Sequence, residues 1–95
     1  MKTNEFLIKL GVYPNLKGFD YIVRAVEIVK ENGHIKVTKE LYPKIAEEFD
    51  TSSSKVERAM RHIVSKISKS RLEDLSFVKS PTTSEFIYYI AMKNN

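Results

Sequence analysis

The feature that most constrains the fold is the stretch 41–67, LYPKIAEEFDTSSSKVERAMRHIVSKI, in which two helical patterns flank a short polar break. Steps of about 100° per residue put one set of apolar side chains on one side of the second pattern: Val56, Ala59, Met60, Ile63 and Ile67. The opposite side carries Ser54, Arg58, Arg61 and Ser65. A helix held by an apolar stripe with arginines outward is how a helix-turn-helix presents its reading helix. We therefore predict a helix-turn-helix over about 41–69, with a reading helix over about 52–69 in the DNA major groove.

The net charge of +4 supports this prediction because of where it lies. Basic and acidic residues cancel in 1–50, whereas 51–72 holds six lysines and arginines against one acidic residue, Glu57. Residues 73–95 are slightly acidic. A basic stripe on one helix is the electrostatic footprint of a nucleic-acid contact. The alternative is an ordinary solvated helix face, and the concentration of charge on one element disfavours it.

The remaining sequence predicts an all-α fold, a compact bundle of five or six short helices forming a single domain over 1–95. We expect a first helix at 4–10 capped by Asn4, and a second from about 16 to 32 that ends at Asn32-Gly33. Tyr21 and Arg24 should lie off the apolar stripe of this second helix. The alternation at 34–37 indicates a short extended segment.

The first helix of the pair should run over 43–49 with four residues inward: Leu41, Ile45, Ala46 and Phe49. Asp50, Thr51 or Ser52 should cap the reading helix through a side-chain oxygen. A weak helical turn is expected at 71–77. Thr82 and Glu85 then have the spacing of a capping box that opens a last helix.

The sequence gives little support for a catalytic function or a metal site. His34 and His62 lie in separate elements, and no metal-binding or nucleophile motif and no phosphate-cradling glycine loop occurs. There are no cysteines, and no apolar run approaches the roughly 18–20 residues that cross a bilayer. We therefore expect no enzyme, no catalytic residue, no metal and no cofactor, in a soluble cytoplasmic protein.

The reading helix offers groups that suit DNA. Arginine can donate two N–H groups to guanine and glutamate can accept from cytosine, so Glu57 and Arg58, near the helix start, are candidate base-reading residues. An ion pair between Glu57 and Arg61, four residues on, is an equally good explanation of Glu57. Side chains suited to phosphate are Thr51, Ser52, Ser53, Ser54, Lys55, Arg61 and His62. Lys66 and Lys69 lie further along, and one of the hydroxyl residues is expected to cap the helix in any case.

Several motifs carry a family resemblance. They are Lys17-Gly18-Phe19, the run TKELYP at 38–43, Ile45-Ala46, VERA at 56–59, Arg61-His62, Pro81-Thr82 and SEFI at 84–87. Ala46, Asp50 and Val56 also reproduce helix-turn-helix spacing, with Asp50 where glycine is usual. On these residues the sequence resembles the C-terminal DNA-binding domain of the stage zero sporulation protein A family, response regulators of endospore-forming bacteria.

The resemblance implies a six-helix domain that binds double-stranded DNA at short boxes, often in tandem and as a dimer, to activate or repress promoters. It implies that Lys55, Glu57 and Arg58 contact bases and that neighbouring side chains contact phosphates. Lys55 stands where the family usually has arginine, which removes the planar fork. The segment 70–80, which in the family helps contact RNA polymerase, is shorter here.

In the family this domain normally follows a phosphorylatable receiver domain, and from the start at Met1 we expect either a free-standing protein without a receiver or a piece of a longer protein. Two functions follow as expectations. The first is a sequence-specific transcription regulator, in the bacterial cytoplasm and associated with the nucleoid. The second is a protein-interaction module or antagonist that pairs with, or competes with, a full-length homologous regulator.

Overall fold

The computed structural model describes residues 2–93, which form six α-helices and one wider turn of π type. In chain order these are α1 (Thr3–Lys9), α2 (Lys17–Asn32), the π turn (Val37–Leu41), α3 (Tyr42–Glu48), α4 (Ser53–Lys66), α5 (Lys69–Asp74) and α6 (Thr83–Lys93). The radius of gyration of 12.3 Å equals the roughly 12 Å expected of a compact domain of this length. The prediction of an all-α bundle of five or six helices is confirmed. Between residues 2 and 93, no helix is long and apolar enough to span a membrane.

Helix α2 is the centre of the bundle and contacts α1, α3, α4 and α6. Apolar residues at a spacing of three and four give it a broad buried face, which includes Ile22, Ala25, Val26 and Ile28, all fully buried. Tyr21 was predicted to lie off this face, but only 6% of it is exposed. Its ring meets Phe49 edge-on, with centroids 5.1 Å apart. The prediction was wrong because the residue that covers Tyr21 comes from the end of α3, which helical spacing within α2 cannot reveal.

Gly18 allows α2 to approach α4 more closely than any residue with a side chain would. A Cβ atom at this position would lie 2.5 Å from the backbone oxygen of Ala59 and 2.6 Å from Cγ1 of Ile63. Real Cβ atoms do not come this close to another heavy atom, and the backbone carbonyl cannot swing aside as a side chain would. The first turn of α2 is therefore seated against the middle of α4.

A partly exposed ion pair joins α2 to α3. The Arg24 guanidinium donates to both carboxylate oxygens of Glu48, at 2.7 and 3.1 Å, and also lies 3.6 and 3.8 Å from the carboxylates of Glu27 and Glu31. The hydrogen bond to Arg24 is the main reason that the pKa of Glu48 is lowered from its usual value. Arg24 is thus off the apolar stripe, as predicted, and ties two helices together.

Several helix boundaries differ from the predictions: the turn expected at 71–77 is α5 at Lys69–Asp74, and α1 and α4 differ as follows. Helix α1 begins at Thr3 after Lys2, without a side-chain cap, and Asn4 lies inside its first turn, where Oδ1 accepts from the N–H of Glu5. Helix α4 ends at Lys66 instead of Lys69. The cause is Ser68, whose hydroxyl accepts from the N–H of Arg71 and caps a new helix, α5.

Of the segment expected to be extended at 34–37, Lys36 is extended and Val37 already belongs to the π turn, with no strand pairing in the described chain. A lone extended segment has no partner for its backbone groups. Here the Tyr88 hydroxyl donates to the carbonyl of Ile35 at 2.6 Å, and the carbonyl of Lys36 accepts from the N–H groups of Glu40 and Leu41.

Helix α6 follows the prediction closely. The Thr82 N–H donates to Glu85 Oε1 at 2.8 Å, and the Glu85 N–H donates to Thr82 Oγ1 at 3.1 Å, which is the predicted capping box. The Thr82 N–H also lowers the pKa of Glu85 from its usual value. All four of its predicted apolar residues are buried: Phe86, Ile87, Ile90 and Ala91.

We predict that Gly18→Ala destabilises the protein. Alanine favours a helix interior by roughly 0.5–1 kcal/mol over glycine, but overpacking against a backbone carbonyl costs about 1–3 kcal/mol, so the free energy of unfolding should fall. Urea unfolding measures it, with Lys17→Ala, an exposed neighbour in the same turn, as the control that should stay within about 0.5 kcal/mol. A gain in stability for Gly18→Ala would show that the two helices are not in tight contact.

We also predict a pH-dependent loss for Glu48→Gln. Because the folded pKa of Glu48 is lowered, its stabilisation is present above the unfolded pKa of about 4.3 and is lost as the pH falls through the folded value. At pH 7 the variant should lose up to about 1 kcal/mol, as is usual for an exposed pair.

Urea unfolding of both proteins at several pH values from 7 to 3 checks this. The difference between variant and wild type should shrink below about pH 4.3 and disappear in stronger acid. Glu47→Gln, at the exposed neighbouring position, is the matched control. A difference for Glu48→Gln that is the same at every pH would contradict the prediction.

Candidate nucleic-acid interface

The turn between α3 and α4 positions the candidate helix. Asp50 has a φ of 53°, a left-handed conformation that glycine adopts most easily and aspartate tolerates. The N–H of Thr51 donates to the carbonyl of Ala46 at 2.8 Å. Ser52 is the N-cap, because its Oγ accepts from the N–H of Lys55 at 3.2 Å. Of the three candidate caps, the structure therefore selects Ser52, and its hydroxyl still has a proton to donate.

The apolar side of α4 is buried as its pattern predicts. Val56, Met60 and Ile63 are at most 1% exposed, and Ala59 is half-buried. Ile67 is also buried, although it follows the end of the helix. Val64 is buried as well. It lies four residues after Met60 but was not among the apolar residues predicted for this side. This side seats α4 on α2, α3 and α6.

The opposite side of α4 presents the candidate DNA-binding residues to solvent. Exposed side chains are Ser52, Ser54, Lys55, Arg58, Arg61 and His62, while Thr51, Ser53 and Glu57 are partly exposed. Arg71, which also belongs to the basic stretch 51–72, instead donates to the carbonyl of Lys9 at the end of α1. The basic surface is therefore on α4 itself more than on the segment that follows it.

Two grooves run along this exposed side, and Arg58 lines both. The first, called here the α2-side groove, is lined by Leu16, Lys17, Gly18, Lys55, Arg58, Ala59, His62 and Ile63. The second, the Tyr42-side groove, is lined by Thr38, Tyr42, Ser53, Ser54, Glu57, Arg58 and Arg61. The three candidate base-reading residues are thus distributed across the helix, with Lys55 on one flank, Arg58 central and Glu57 on the other flank.

Glu57 forms the ion pair that its spacing allows, with Oε1 3.4 Å from Nη1 of Arg61. Both side chains remain substantially exposed, at 36% and 63%, so the pair is in contact with solvent and is weak. Burial is the main cause that raises the pKa of the neighbouring Tyr42 from its usual value, and the charge of Glu57 adds to it. Tyr42 is accordingly a neutral hydroxyl near the base of this groove.

A wider cleft of about 580 Å³ continues from the Tyr42-side groove toward the start of α6. Thr38, Tyr42, Arg61 and Ser65 line one part of it, and residues 80–84 line the other. From the sequence, Thr82 was predicted to form the capping box with Glu85, and Pro81, Thr82 and Ser84 belonged to the family motifs; none was placed beside α4. Their place beside α4 could not be read from spacing, since the two segments meet only in the folded chain.

Lys17, like residues 80–84, lies beside α4 although no pattern in the sequence placed it there. It is exposed at the first turn of α2 and lines the α2-side groove together with Lys55, Arg58 and His62. No periodicity links residue 17 to residue 55. The signals in the sequence were the place of Lys17-Gly18-Phe19 among the family motifs and Gly18 itself, a residue unfavourable inside a helix and therefore suggestive of a close helix contact.

These features define a class of small helical proteins in which one basic helix packs on the core through its apolar side. Its charged side faces solvent. In the described residues, no cluster of histidine, aspartate and glutamate could hold a metal ion. The chain matches the family described as Sporulation initiation factor Spo0A C terminal over residues 3–93, and it belongs to that family. This confirms the resemblance seen in the motifs. The family is one of DNA-binding effector domains in the regulation of transcription and sporulation, not of enzymes.

Proposed function

We propose that this protein is a sequence-specific regulator of transcription that inserts α4 into the major groove of double-stranded DNA. The observation that carries the proposal is the position of Arg58, exposed at the centre of the solvent-facing side and lining both flanking grooves. A helix fits the roughly 12 Å width of the major groove, and the residue at the middle of its outer side then faces the base edges.

In this proposal the helix-turn-helix extends over about 41–69 of a single domain, 1–95. Its observed helices are α3 and α4, and α4 is 14 residues long, or about 21 Å at 1.5 Å per residue. Only part of such a helix can lie deep in the groove. Arg58 and the residues before it belong to the first two turns, the part that meets bases in this motif.

Bases are read by Lys55, Glu57 and Arg58. Arg58 suits guanine, which accepts two hydrogen bonds, and Glu57 suits cytosine, whose amino group donates one. The ion pair with Arg61 does not conflict with this role, since each carboxylate oxygen has two lone pairs. Lys55 offers charge and donors without the planar fork of arginine.

Phosphates are contacted by residues around this core. The hydroxyls of Thr51, Ser52, Ser53 and Ser54 lie in the turn and first helical residues, where backbone N–H groups also favour an anion. Arg61 and His62 are exposed one turn further on. These contacts carry no sequence information but fix the register of the helix on the duplex.

Further partners belong to the same proposal as consequences of family membership. They are a second copy of the protein on tandem DNA boxes, RNA polymerase, and a full-length homologous regulator. A regulator of this kind acts in the bacterial cytoplasm, on the nucleoid. The DNA interface is the part that the described contacts support directly, so the following experiments address it.

Arg58→Ala should weaken binding to the family's DNA box by roughly 1–3 kcal/mol and relax the preference at one base pair. Fluorescence anisotropy measures it, with the wild type and the variant titrated into duplexes with and without the box over a series of salt concentrations. Lys66→Ala is the matched control, because Lys66 is an exposed cation in the last turn of the same helix. It should lose far less affinity.

Equal losses from Arg58→Ala and Lys66→Ala would mean that α4 is only a charged patch. If the wild-type protein bound duplexes with and without the box equally at every salt concentration, specific recognition would be excluded. Specific binding should also weaken with salt, with a log–log slope of about −0.9 per phosphate contacted.

Glu57→Ala separates the two explanations of this acidic residue. Removal of a negative charge should strengthen binding to a duplex without the box, because phosphates no longer meet repulsion. If Glu57 reads cytosine, the ratio of box to non-box affinity should fall by roughly fivefold or more.

Glu47→Ala changes the net charge equally at an exposed position of α3 and should leave the ratio unchanged. The anisotropy titrations above measure both variants. An equal gain of affinity on both duplexes for Glu57→Ala would leave the ion pair with Arg61 as the only role of Glu57.

A further inference from the structure

The two grooves along α4 differ in charge. The α2-side groove is lined by three permanent cations, Lys17, Lys55 and Arg58, together with His62, and by no acidic residue. The Tyr42-side groove is lined by two arginines, Arg58 and Arg61, and by the carboxylate of Glu57, so its net positive charge is smaller. When a helix lies in the major groove, one sugar–phosphate backbone runs past each of its flanks. The flanks of α4 therefore offer unequal surroundings to the two DNA strands.

The shape of the α2-side groove comes from the contact at Gly18. Because a Cβ atom there would lie 2.5 Å from the Ala59 oxygen, the two helices are close enough to form a continuous floor. Leu16, Ala59 and Ile63 line this groove along with the cations at its rim. Because Lys17 is next to Gly18, this contact also brings its exposed side chain beside α4.

We propose that the α2-side groove holds the sugar–phosphate backbone of one DNA strand, and that Lys17 is a phosphate-binding residue of the interface. This inference rests on the proposed function, because it needs α4 in the major groove. The cations at the rim neutralise phosphate charge, and the apolar floor covers the less polar deoxyribose. Lys17 thereby extends the contact from α4 to the start of α2, so that two helices contact the same DNA strand.

The charge difference also makes the two DNA strands inequivalent in the complex. In the Tyr42-side groove Glu57 offsets the charge of Arg61, so a phosphate contacted there by Arg61 or the serine hydroxyls is attracted less strongly. The strand in the α2-side groove meets only cations and neutral groups among the residues that line it. The strand on the Lys17 side is consequently held more tightly, and Lys17 adds affinity that does not depend on base sequence.

Lys17→Ala tests this in anisotropy titrations over a salt series, on duplexes with and without the box. Loss of one phosphate contact should reduce the magnitude of the log–log salt slope by about 0.9 and weaken binding roughly three- to tenfold at 0.15 M salt. The loss should be equal on both duplexes. Lys17→Arg keeps the charge and should restore the slope.

Lys30→Ala is the matched control. Lys30 is an exposed lysine in the last turn of the same helix, about 20 Å from Lys17 at 1.5 Å per residue. Its replacement lowers the net charge equally and should change the salt slope little. Thermal unfolding of each variant establishes that the protein is folded under the binding conditions.

A second measurement locates the contact on the DNA. Box duplexes carrying a neutral methylphosphonate at one position at a time are titrated with wild type and with Lys17→Ala. One strand should contain a position at which the substitution weakens the wild type but not the variant, which identifies the phosphate that Lys17 contacts.

The outcomes separate this inference from the proposed function. If the wild type prefers the box while Lys17→Ala keeps the wild-type salt slope, or responds to every methylphosphonate as the wild type does, the Lys17 contact is wrong and the proposed function stands. If the wild type shows no preference for the box, the proposed function fails, and the Lys17 contact, which depends on it, fails too. An equal change of slope in Lys17→Ala and Lys30→Ala would show only an effect of net charge and would also overturn the Lys17 contact.

Discussion

The contact between the backbone of Gly18 and the carbonyl of Ala59 is the constraint on which the rest of the structure depends. It permits the first turn of α2 to sit against the middle of α4, at a separation that a single methyl group would prevent. Since α2 also contacts α1, α3 and α6, this one approach sets the orientation of α4 relative to the whole core. The solvent-facing side of α4 and the groove beside it are consequences of that approach.

Local geometry at the start of α4 complements this long-range contact. Asp50 takes the left-handed conformation that closes the turn, and Ser52 caps the helix by accepting from the Lys55 N–H. This turn and this cap place the hydroxyl residues and Lys55 at the N-terminal end of α4, which faces DNA in the proposed function. Arg24 and Glu48 stabilise α3 against α2 on the other side of the pair. The interface is therefore supported by the core on its apolar side and by polar contacts at its edges.

Much of the fold was predictable because short-range rules governed it. The stripe of α4, the capping box of α6 and the end of α2 near Gly33 each depend on residues within four positions of one another. Some features were hidden because a distant partner intervened: Tyr21 packs against Phe49, and Ile35 is hydrogen-bonded to Tyr88. The end of α4 at Lys66 has a local cause, since Ser68, two residues on, caps a new helix. The candidate site divides in the same way, since the residues of α4 were found from their spacing and Lys17 was not.

The sequence by itself determined that the chain is all-α, that it belongs to a family of DNA-binding effector domains, and that its positive charge is concentrated around one helix. These properties follow from helical periodicity, specific motifs and composition, all of which exist before folding. Only the tertiary structure decided which residues accompany α4 on its flanks. Lys17 and the residues 80–84 reach those flanks because helices distant in the chain pack together, and contacts of that kind leave no period in the sequence.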